Sequence, residues 1–266
     1  MLQQIPTRAF VLEDRGVRFV VRVVEALERK RVDGIAQRQR GANPFLPYDE
    51  DMFVADISDT HVCLLNKYNV VEHHVLMVTR EFEDQEEPLN AADFEAVWIC
   101  LREFDGLAFY NADSVAGASQ PHKHLQQVPL PFGAGSERTP IDPLLTRAVF
   151  KGSLGRVAEF PFVHALARVD RMSSLPVPDA AEATHALYLE MLDAVGRGPE
   201  PGPHNLLATR DWMLTVPRSV ETFDSISVNA LGFAGSLLVR DERELSLLRR
   251  KGPFAVLECV GVSRTA

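Results

Sequence analysis

Hydrophobic residues follow two spacings along the chain, one typical of helices and one typical of strands. Valines and a leucine recur at helical spacing over residues 16–31, with Arg and Glu between them, which predicts an amphipathic first helix. Residues 52–57, 61–66 and 73–79 form three short apolar runs separated by polar stretches. Because such short connections cannot hold a crossover helix, these runs predict antiparallel strands.

The rest of the chain continues both patterns. Helices are predicted over residues 91–104 behind the capping residue Asn90, around 180–195, and after the capping residue Asp241. Further strands are predicted at 106–111, 122–130, 159–166, 205–209, 212–217, 225–232 and 235–240. The pattern predicts an α+β fold with a mainly antiparallel β-sheet flanked by helices. A faint likeness between residues 64–82 and 206–219 raises the hypothesis of two repeated halves.

Length and composition indicate one folded domain. The 266 residues are 46% hydrophobic and 24% charged, which is ordinary for a globular protein and long enough to bury a substantial core. We therefore expect a single compact domain over residues 1–266, with an N-terminal catalytic part at 43–145 and a C-terminal part at 155–258.

Charge and cysteine usage narrow the classes of function. The formal net charge of −9 argues against a nucleic-acid binder, so an anionic substrate needs a local basic pocket. Cys63, Cys100 and Cys259 lie far apart in apolar stretches, which predicts buried thiols in a reducing compartment. The N-terminus lacks signal-peptide features and no apolar run is long enough to span a membrane. We expect a cytoplasmic protein without a membrane partner.

Polar side chains alternate along the predicted strand at 122–130. His122, His124 and Gln126 would share one face, because successive side chains of a strand point to opposite sides. A buried donor or acceptor without a partner costs about 1–3 kcal/mol, so function or solvent must explain this row. Three interpretations are open from the residues alone: an exposed strand face, a zinc site, and covalent catalysis by an imidazole.

The chemistry of each interpretation differs. A tetrahedral zinc site needs three or four ligands, and the nearest further candidates, His73, His74 and Asp113, show no recognisable spacing. Covalent catalysis needs a neutral imidazole with one nitrogen anchored by a hydrogen bond and the other available to attack phosphorus. The neutral amide of Gln126 can hold a phosphate oxygen of such an adduct.

The residues around this row also match a known family. Asn111 followed by AGASQPHKHLQ at 116–126 resembles the His-x-His-x-Gln motif of one branch of the histidine-triad superfamily. That branch contains galactose-1-phosphate uridylyltransferase and diadenosine tetraphosphate phosphorylase, also called ATP adenylyltransferase. The segments NPFLPYDED, LLNKYNVVEHHVLMVTREF, DWMLTVPRS and GFAGSLLVRDERELSLLRRKGP resemble the adenylyltransferase side, so the resemblance covers roughly residues 43–258 and implies a HIT-like fold. The cysteines show no pattern for the zinc site that the uridylyltransferases often carry.

The resemblance implies a role for individual residues. His124 resembles the nucleophile, Gln126 the amide that binds the adduct's phosphate oxygen, and His122 a residue that orients the site. Phe45 and Leu46 are candidates for packing against adenine, with a core role as the alternative. Gly117 and Ala118 would contribute backbone N–H groups. Lys67 and Arg218 would contribute positive charge, with an ordinary turn lysine and a solvated loop arginine as the alternatives. The implied substrate-binding residues are Lys67, Asn111, Gly117, Ala118, Ser119, Gln120 and Arg218.

The resemblance also implies a reaction. His124 would attack an α-phosphorus of diadenosine tetraphosphate and expel ATP, and inorganic phosphate would convert the adenylyl-histidine to ADP. A divalent cation, magnesium, would accompany the polyphosphate without a resident metal site, and the protein would be a monomer. Gln126 stands where hydrolytic relatives carry a third histidine, which favours transfer to phosphate. The alternatives are phosphorolysis of adenosine phosphosulfate, hexose-1-phosphate uridylyl transfer, and a non-catalytic dinucleotide sensor.

Overall fold

The structure is a computed structural model that describes residues 7–24, 43–67, 70–132, 135, 137–198 and 200–264. Within these residues the strands are β1 (Arg8–Asp14), β2 (Val17–Val23), β3 (Phe53–Asp56), β4 (His61–Leu65), β5 (Val75–Thr79), β6 (Gly106–Ala112), β7 (His124–Pro129), β8 (Val149–Lys151), β9 (Leu154–Arg156), β10 (Ala165–Arg168), β11 (His204–Ala208), β12 (Trp212–Pro217), β13 (Thr222–Phe223), β14 (Ile226–Ser227) and β15 (Ser236–Val239). The helices are α1 (Ala91–Glu103), α2 (Asp142–Leu145), α3 (Val177–Ala194), α4 (Ala230–Phe233), α5 (Glu242–Lys251) and α6 (Pro253–Val260).

A β-hairpin stands where the first helix was predicted over residues 16–31. Strands β1 and β2 pair antiparallel along their full length. The turn residues Arg15 and Gly16 have φ of 50° and 80°, as a two-residue type I′ turn requires. The helix prediction is wrong for β2, because a buried strand rich in β-branched valines can also satisfy helical spacing. Residues 25–31 of the predicted helix lie outside the described residues.

Ten strands form one sheet in the order β3-β4-β5-β7-β6-β11-β12-β10-β9-β8, with antiparallel pairing, as the short connections predicted. The order reads the same from both ends: β3-β4-β5-β7-β6 matches β8-β9-β10-β12-β11, and β6 and β11 meet at the centre. Helices α1 and α3 occupy equivalent connections. The topology agrees with two repeated halves. The sequence likeness matched residues 64–82, which contain the end of β4 and all of β5, with residues 206–219, which contain most of β11 and all of β12. In the sheet, however, β11 and β12 are equivalent to β6 and β7.

The two faces of this sheet are covered by different elements. Helices α1 and α3 pack on one face, where Trp98 Nε1 donates to Thr184 Oγ1 at 2.8 Å. The C-terminal helices and the small sheet β1-β2-β15 cover the central part of the other face, where Phe19 meets Phe254 edge-on at 5.1 Å. The same face has a smaller apolar cluster at β4 and β5, which comprises Phe45, Val62, Leu64, Leu76 and Val78. This cluster lies beside β7 and forms the floor of the site.

Three other expectations change with the structure. Residues 159–166 contribute to a strand only from Ala165, and residues 225–232 divide between β14 and α4. The last apolar stretch is helix α6, which buries one face and leaves Cys259 exposed. The prediction of buried thiols therefore holds for Cys63 and Cys100 and is wrong for Cys259. Among the described residues, no helix is long and apolar enough to cross a membrane.

Two buried histidines outside the site tie stability to pH. His164 and His204 each donate Nδ1–H to the carbonyl oxygen two residues earlier, at 2.9 and 2.8 Å. Nε2 accepts from Val157 N in His164 and from the Tyr188 hydroxyl in His204. Burial lowers the pKa of both rings to about 4, because the charged imidazolium loses its solvation in the interior.

We expect the free energy of unfolding to fall as the pH is lowered from about 6.5 towards 4. The unfolded chain binds protons in this window and the folded rings do not, which costs up to about 1.4 kcal/mol per pH unit for each histidine. Urea unfolding at pH 7.5, 5.5 and 4.5 measures the slope. The variant His204→Gln keeps polar groups but does not titrate, so its free energy of unfolding should fall less steeply with pH, by the contribution of one histidine. A slope equal to that of the native protein contradicts the role of His204.

Candidate active site

His124, the first residue of β7, lines a cavity of about 370 Å³. Its Nδ1 lies 2.8 Å from the carbonyl oxygen of His122. A carbonyl oxygen can only accept, so Nδ1 carries a proton, and in the neutral form of the ring Nε2 carries the lone pair. The backbone thus fixes the tautomer that a nucleophilic histidine needs.

The side chain of Gln85 holds the backbone of His124 in place. Strands β6 and β7 pair only as far as Phe109 opposite Gln126, and beyond that point the buried Gln85 carboxamide lies between them. Its Oε1 accepts from His124 N at 2.8 Å, and its Nε2 donates to Asn111 O at 2.9 Å and His124 O at 3.2 Å. Gln85 therefore satisfies the backbone where the strands separate. No motif singled it out, because it lies in an acidic loop far from the histidines in sequence.

His122 precedes β7, and its ring is anchored below the cavity. Nε2 donates to Thr79 O at 2.8 Å and Nδ1 accepts from Asn43 Nδ2 at 2.9 Å, so the ring is neutral; burial lowers its pKa. Phe45 packs against both rings, 5.6 Å from His122 and 5.4 Å from His124. The two histidines are 0% and 4% exposed, so the interpretation of an exposed strand face is wrong. His122 contacts the His124 ring through its carbonyl oxygen.

The cavity brings together five of the residues implied by the family resemblance, four from the motif at 116–126 and one from just after β4. They are Lys67, Ser119, Gln120, His124 and Gln126. Gln126 Oε1 accepts a hydrogen bond from His74 Nε2 at 3.0 Å. An apolar wall of Pro44, Phe45, Pro47, Tyr48, Met52, Leu64 and Leu76 completes much of the lining. Phe45 thus faces the cavity, whereas Leu46 is 41% exposed and is absent from the wall.

The loop before the histidines differs from its predicted role. Gly117 N donates to Ser114 O at 2.9 Å and Ala118 N donates to Asp113 O at 3.1 Å. These N–H groups are therefore used within the turn, and the expectation that they bind phosphate is wrong. Gly117 has φ of 95°, and a Cβ there would lie 2.9 Å from Asn229 Cα. Glycine is needed for packing against the C-terminal part rather than for the approach of a ligand.

Asn111 is also a structural residue in this protein. Its Oδ1 accepts from Asn205 Nδ2 and from Ala230 N, both at 2.9 Å. Asn111 and Asn205 are directly opposite each other on β6 and β11, at the junction of the two halves. Asn111 is not among the residues that line the cavity, and its predicted contact with phosphate, which its Nδ2 would make, stays a prediction.

Arg218, predicted as a cation for polyphosphate, is buried among neutral oxygens. Its Nη1 donates to Ala116 O at 3.1 Å and to Asn205 Oδ1 and Val228 O at 2.8 Å, and its Nε donates to Val260 O at 3.0 Å. Burial lowers its pKa to about 10, so the guanidinium stays charged at neutral pH. The predicted contact with substrate is wrong: Arg218 braces the turn before Ser119 against the C-terminal part.

Among the described residues, no three His, Cys, Asp or Glu side chains come together as a metal site.

Two family models match the chain in consecutive segments. The model described as the Ap4A phosphorylase N-terminal domain matches residues 1–147, more than half of the 266, where Ap4A is diadenosine tetraphosphate. The model described as the ATP adenylyltransferase C-terminal domain matches residues 158–263. This chain belongs to the Ap4A phosphorylase family. Membership confirms the resemblance carried by the His-x-His-x-Gln motif and makes the protein a nucleotidyltransferase.

Yeast proteins are similar to this chain in sequence and in structure. Diadenosine 5′,5‴-P1,P4-tetraphosphate phosphorylase 2 of Saccharomyces cerevisiae is 27% identical, over 79% of this chain and 72% of that protein. Protein APA1 of the same yeast is 26% identical, over 84% and 77%. The crystal structure of yeast Ap4A phosphorylase Apa2 has a TM-score of 0.79 at 25% identity, covering 100% of this chain and 90% of that one. Its complex with Ap4A has a TM-score of 0.82 at 23% identity, covering 100% and 93%.

Proposed function

We propose that this protein phosphorolyses Ap4A with inorganic phosphate to give ATP and ADP, through an adenylyl-histidine at His124. The observation that carries the proposal is the hydrogen bond from His124 Nδ1 to His122 O in a residue that lines the cavity. Because this bond places the proton on Nδ1, Nε2 is the nitrogen whose lone pair would attack phosphorus. The yeast relatives named as Ap4A phosphorylases support the choice of dinucleotide.

In the first step, His124 Nε2 forms a bond to an α-phosphorus. The bond from that phosphorus to the oxygen bridging to the β-phosphate breaks, and ATP leaves with the electron pair. The ring keeps its Nδ1 proton, so the adduct carries positive charge next to the carbonyl oxygen of His122. The Gln126 amide donates to a non-bridging oxygen of the adduct, where charge accumulates during transfer.

In the second step, an oxygen of inorganic phosphate attacks the same phosphorus. The Nε2–phosphorus bond breaks, ADP leaves, and His124 returns to its neutral form without net proton transfer to the protein. Two displacements by good nucleophiles replace one difficult displacement. The apolar wall near Phe45 takes the nucleobase of the adenylyl group, because an apolar surface can stack with a purine and also exclude water from the adduct.

Positive charge at the polyphosphate comes from Lys67 and from the magnesium that the substrate carries. Local charge matters here because the whole chain has a net charge of −9. Donors and cations placed where charge develops supply most of the stabilisation in phosphoryl-type transfer. We also propose that the protein acts in the cytoplasm as a monomer, by resemblance to its family.

The test is incubation with Ap4A and labelled inorganic phosphate, followed by separation of the nucleotides. Label in the β-position of ADP, with one unlabelled ATP for each ADP, is expected. Unlabelled nucleotides indicate hydrolysis and contradict the proposal. Tight binding of Ap4A without turnover indicates a sensor. Parallel reactions with adenosine phosphosulfate and with a UDP-sugar separate the other two alternatives, through release of sulfate and uridylyl transfer.

Lys67 provides a prediction about substrate affinity. We expect Lys67→Met to raise the KM for Ap4A by about tenfold to a hundredfold, the range for losing one hydrogen bond to a charged group. Stability should not change, because Lys67 is exposed at the rim of the cavity. Initial rates at varied Ap4A measure the effect. The control is Lys151→Met at the opposite edge of the sheet; equal KM values for the two variants contradict the role of Lys67.

A further inference from the structure

We propose that His74 is a positioning residue that acts through Gln126, by holding the Gln126 carboxamide in the orientation that can bind phosphate. The inference rests on the proposed function, because it concerns the amide that contacts the adenylyl group. His74 is not among the residues that line the cavity. Its effect on the reaction therefore passes through the side chain that it contacts.

The direction of the hydrogen bonds is determined by chemistry. Asn66 Nδ2, which can only donate, lies 3.1 Å from His74 Nδ1, so Nδ1 accepts. In the neutral ring the proton is then on Nε2, which lies 3.0 Å from Gln126 Oε1. Donation runs from Asn66 to His74 and from His74 to Gln126. Each side chain in this relay fixes the orientation of the next one.

The backbone places the relay across the β4–β5 hairpin. Asn66 N donates to His74 O at 3.1 Å, which extends the pairing of β4 and β5 by one rung. Strand β5 pairs with β7, where Leu76 is opposite Gln126, so His74 approaches Gln126 diagonally. The His74 ring also packs against Phe109 at 5.8 Å, on the strand that flanks β7 on its other side. The ring has little freedom to move.

A fixed orientation matters because the two ends of a carboxamide have opposite polarity. Rotation by 180° exchanges an oxygen acceptor for an NH₂ donor at nearly the same position. A phosphate oxygen attracts the donor and repels the acceptor. Since His74 donates to Oε1, the stable orientation leaves the Gln126 Nε2 hydrogens for the adenylyl phosphate. Preorganised donors of this kind need no rearrangement as charge develops.

A double-mutant cycle tests the inference. Gln126→Ala removes the amide and should lower kcat by about 10²-fold, as deletion of one anion-stabilising donor does. His74→Phe keeps the ring shape without a donor and should lower kcat about tenfold, the size of effect expected for an outer partner that orients a contacting group. The double variant should match Gln126→Ala, because His74 then has no amide to position. If the loss of kcat in the double variant equals the product of the two single losses, the inference is overturned and His74 is merely structural.

Rescue provides a second measurement. In His74→Gln the amide Nε2 occupies nearly the position of the histidine Nε2, so kcat should return to within about threefold of the native value. His74→Asn, also an amide but one carbon shorter, is the matched control and should not rescue. KM should change less than kcat in each variant. Equal kcat for the glutamine and phenylalanine variants overturns the inference even if both proteins are folded.

Failure of the proposed function has a different signature. If the native protein does not phosphorolyse Ap4A, the same four proteins of the cycle are compared by calorimetric Kd for AMP. If the double variant and Gln126→Ala have the same Kd for AMP, His74 still positions the Gln126 amide, but in a binding site rather than in a catalytic one. A double variant that binds AMP more weakly than Gln126→Ala overturns that assignment independently of turnover.

Discussion

Replacing His124 by alanine is expected to abolish both phosphorolysis of Ap4A and adenylyl transfer to the protein. The fall in kcat should be on the order of 10⁶-fold, the size of effect known for enzymes that lose the residue forming their covalent intermediate. Alanine lacks the ring nitrogen that forms the bond to phosphorus. It also lacks the Nδ1–H group whose hydrogen bond to His122 O orients the ring. Binding of Ap4A should persist, because Lys67, Ser119 and the apolar wall are unchanged.

The adduct can be measured directly. Ap4A labelled at the α-phosphorus, mixed with native protein without inorganic phosphate and quenched in alkali, should leave acid-labile label on the chain, as a phosphorus–nitrogen bond does. His124→Ala should retain none. His185→Ala on α3, at the opposite face of the sheet, is the matched control and should label normally. Labelled ADP from His124→Ala in the presence of phosphate would contradict the covalent mechanism.

The part of the site that could be predicted is the part that is contiguous in sequence. His124 and Gln126 are two residues apart on β7, so strand alternation alone placed them on one face. Gln85, Asn66 and His74 could not be found in this way. Asn66 and His74 reach Gln126 through the register of β4, β5 and β7, which depends on pairing between distant segments. Gln85 reaches the backbone of His124 from the loop between β5 and α1.

The fold shows the same division between local and distant information. Helix α1 was predicted nearly to its bounds, because the cap residue Asn90 and the helical spacing are local signals. The spacing of valines over β2 fits a helix and a buried strand equally, and its partners β1 and β15 decide between them. The positive φ angles of Arg15 and Gly16 that close the hairpin are seen only in the structure.

Arg218 shows why residue type does not determine a role. In the sequence, an arginine after a strand and a proline resembled an exposed cation for polyphosphate. In the structure the arginine is 2% exposed, and its donors reach the oxygens of the 114–116 turn, β11 and the end of α6. These oxygens come from segments up to about a hundred residues away in sequence, as with Ala116. The guanidinium has this structural role only because the C-terminal part packs around it and supplies acceptors such as Val228 O and Val260 O.

Arg218→Met is therefore expected to destabilise the protein rather than to weaken substrate binding selectively. Removing the guanidinium leaves the oxygens of Ala116, Val228, Val260 and Asn205 buried without this donor, which should lower the free energy of unfolding by about 3 kcal/mol or more. Urea unfolding measures the loss. Arg243→Met, at an exposed position of α5, is the control and should change stability by no more than about 0.5 kcal/mol.

The two roles considered for Arg218 predict opposite patterns. A brace predicts lower stability in Arg218→Met, and only partial recovery in Arg218→Lys, because one ammonium cannot reach the partners of both Nε and Nη1. A cation that binds polyphosphate predicts unchanged stability, a raised KM for Ap4A, and substantial recovery by lysine. Because Arg218 Nη1 holds the turn that leads to Ser119, the brace also predicts that any loss of activity follows the loss of folded protein. Native stability with a raised KM would return Arg218 to the role that the sequence predicted.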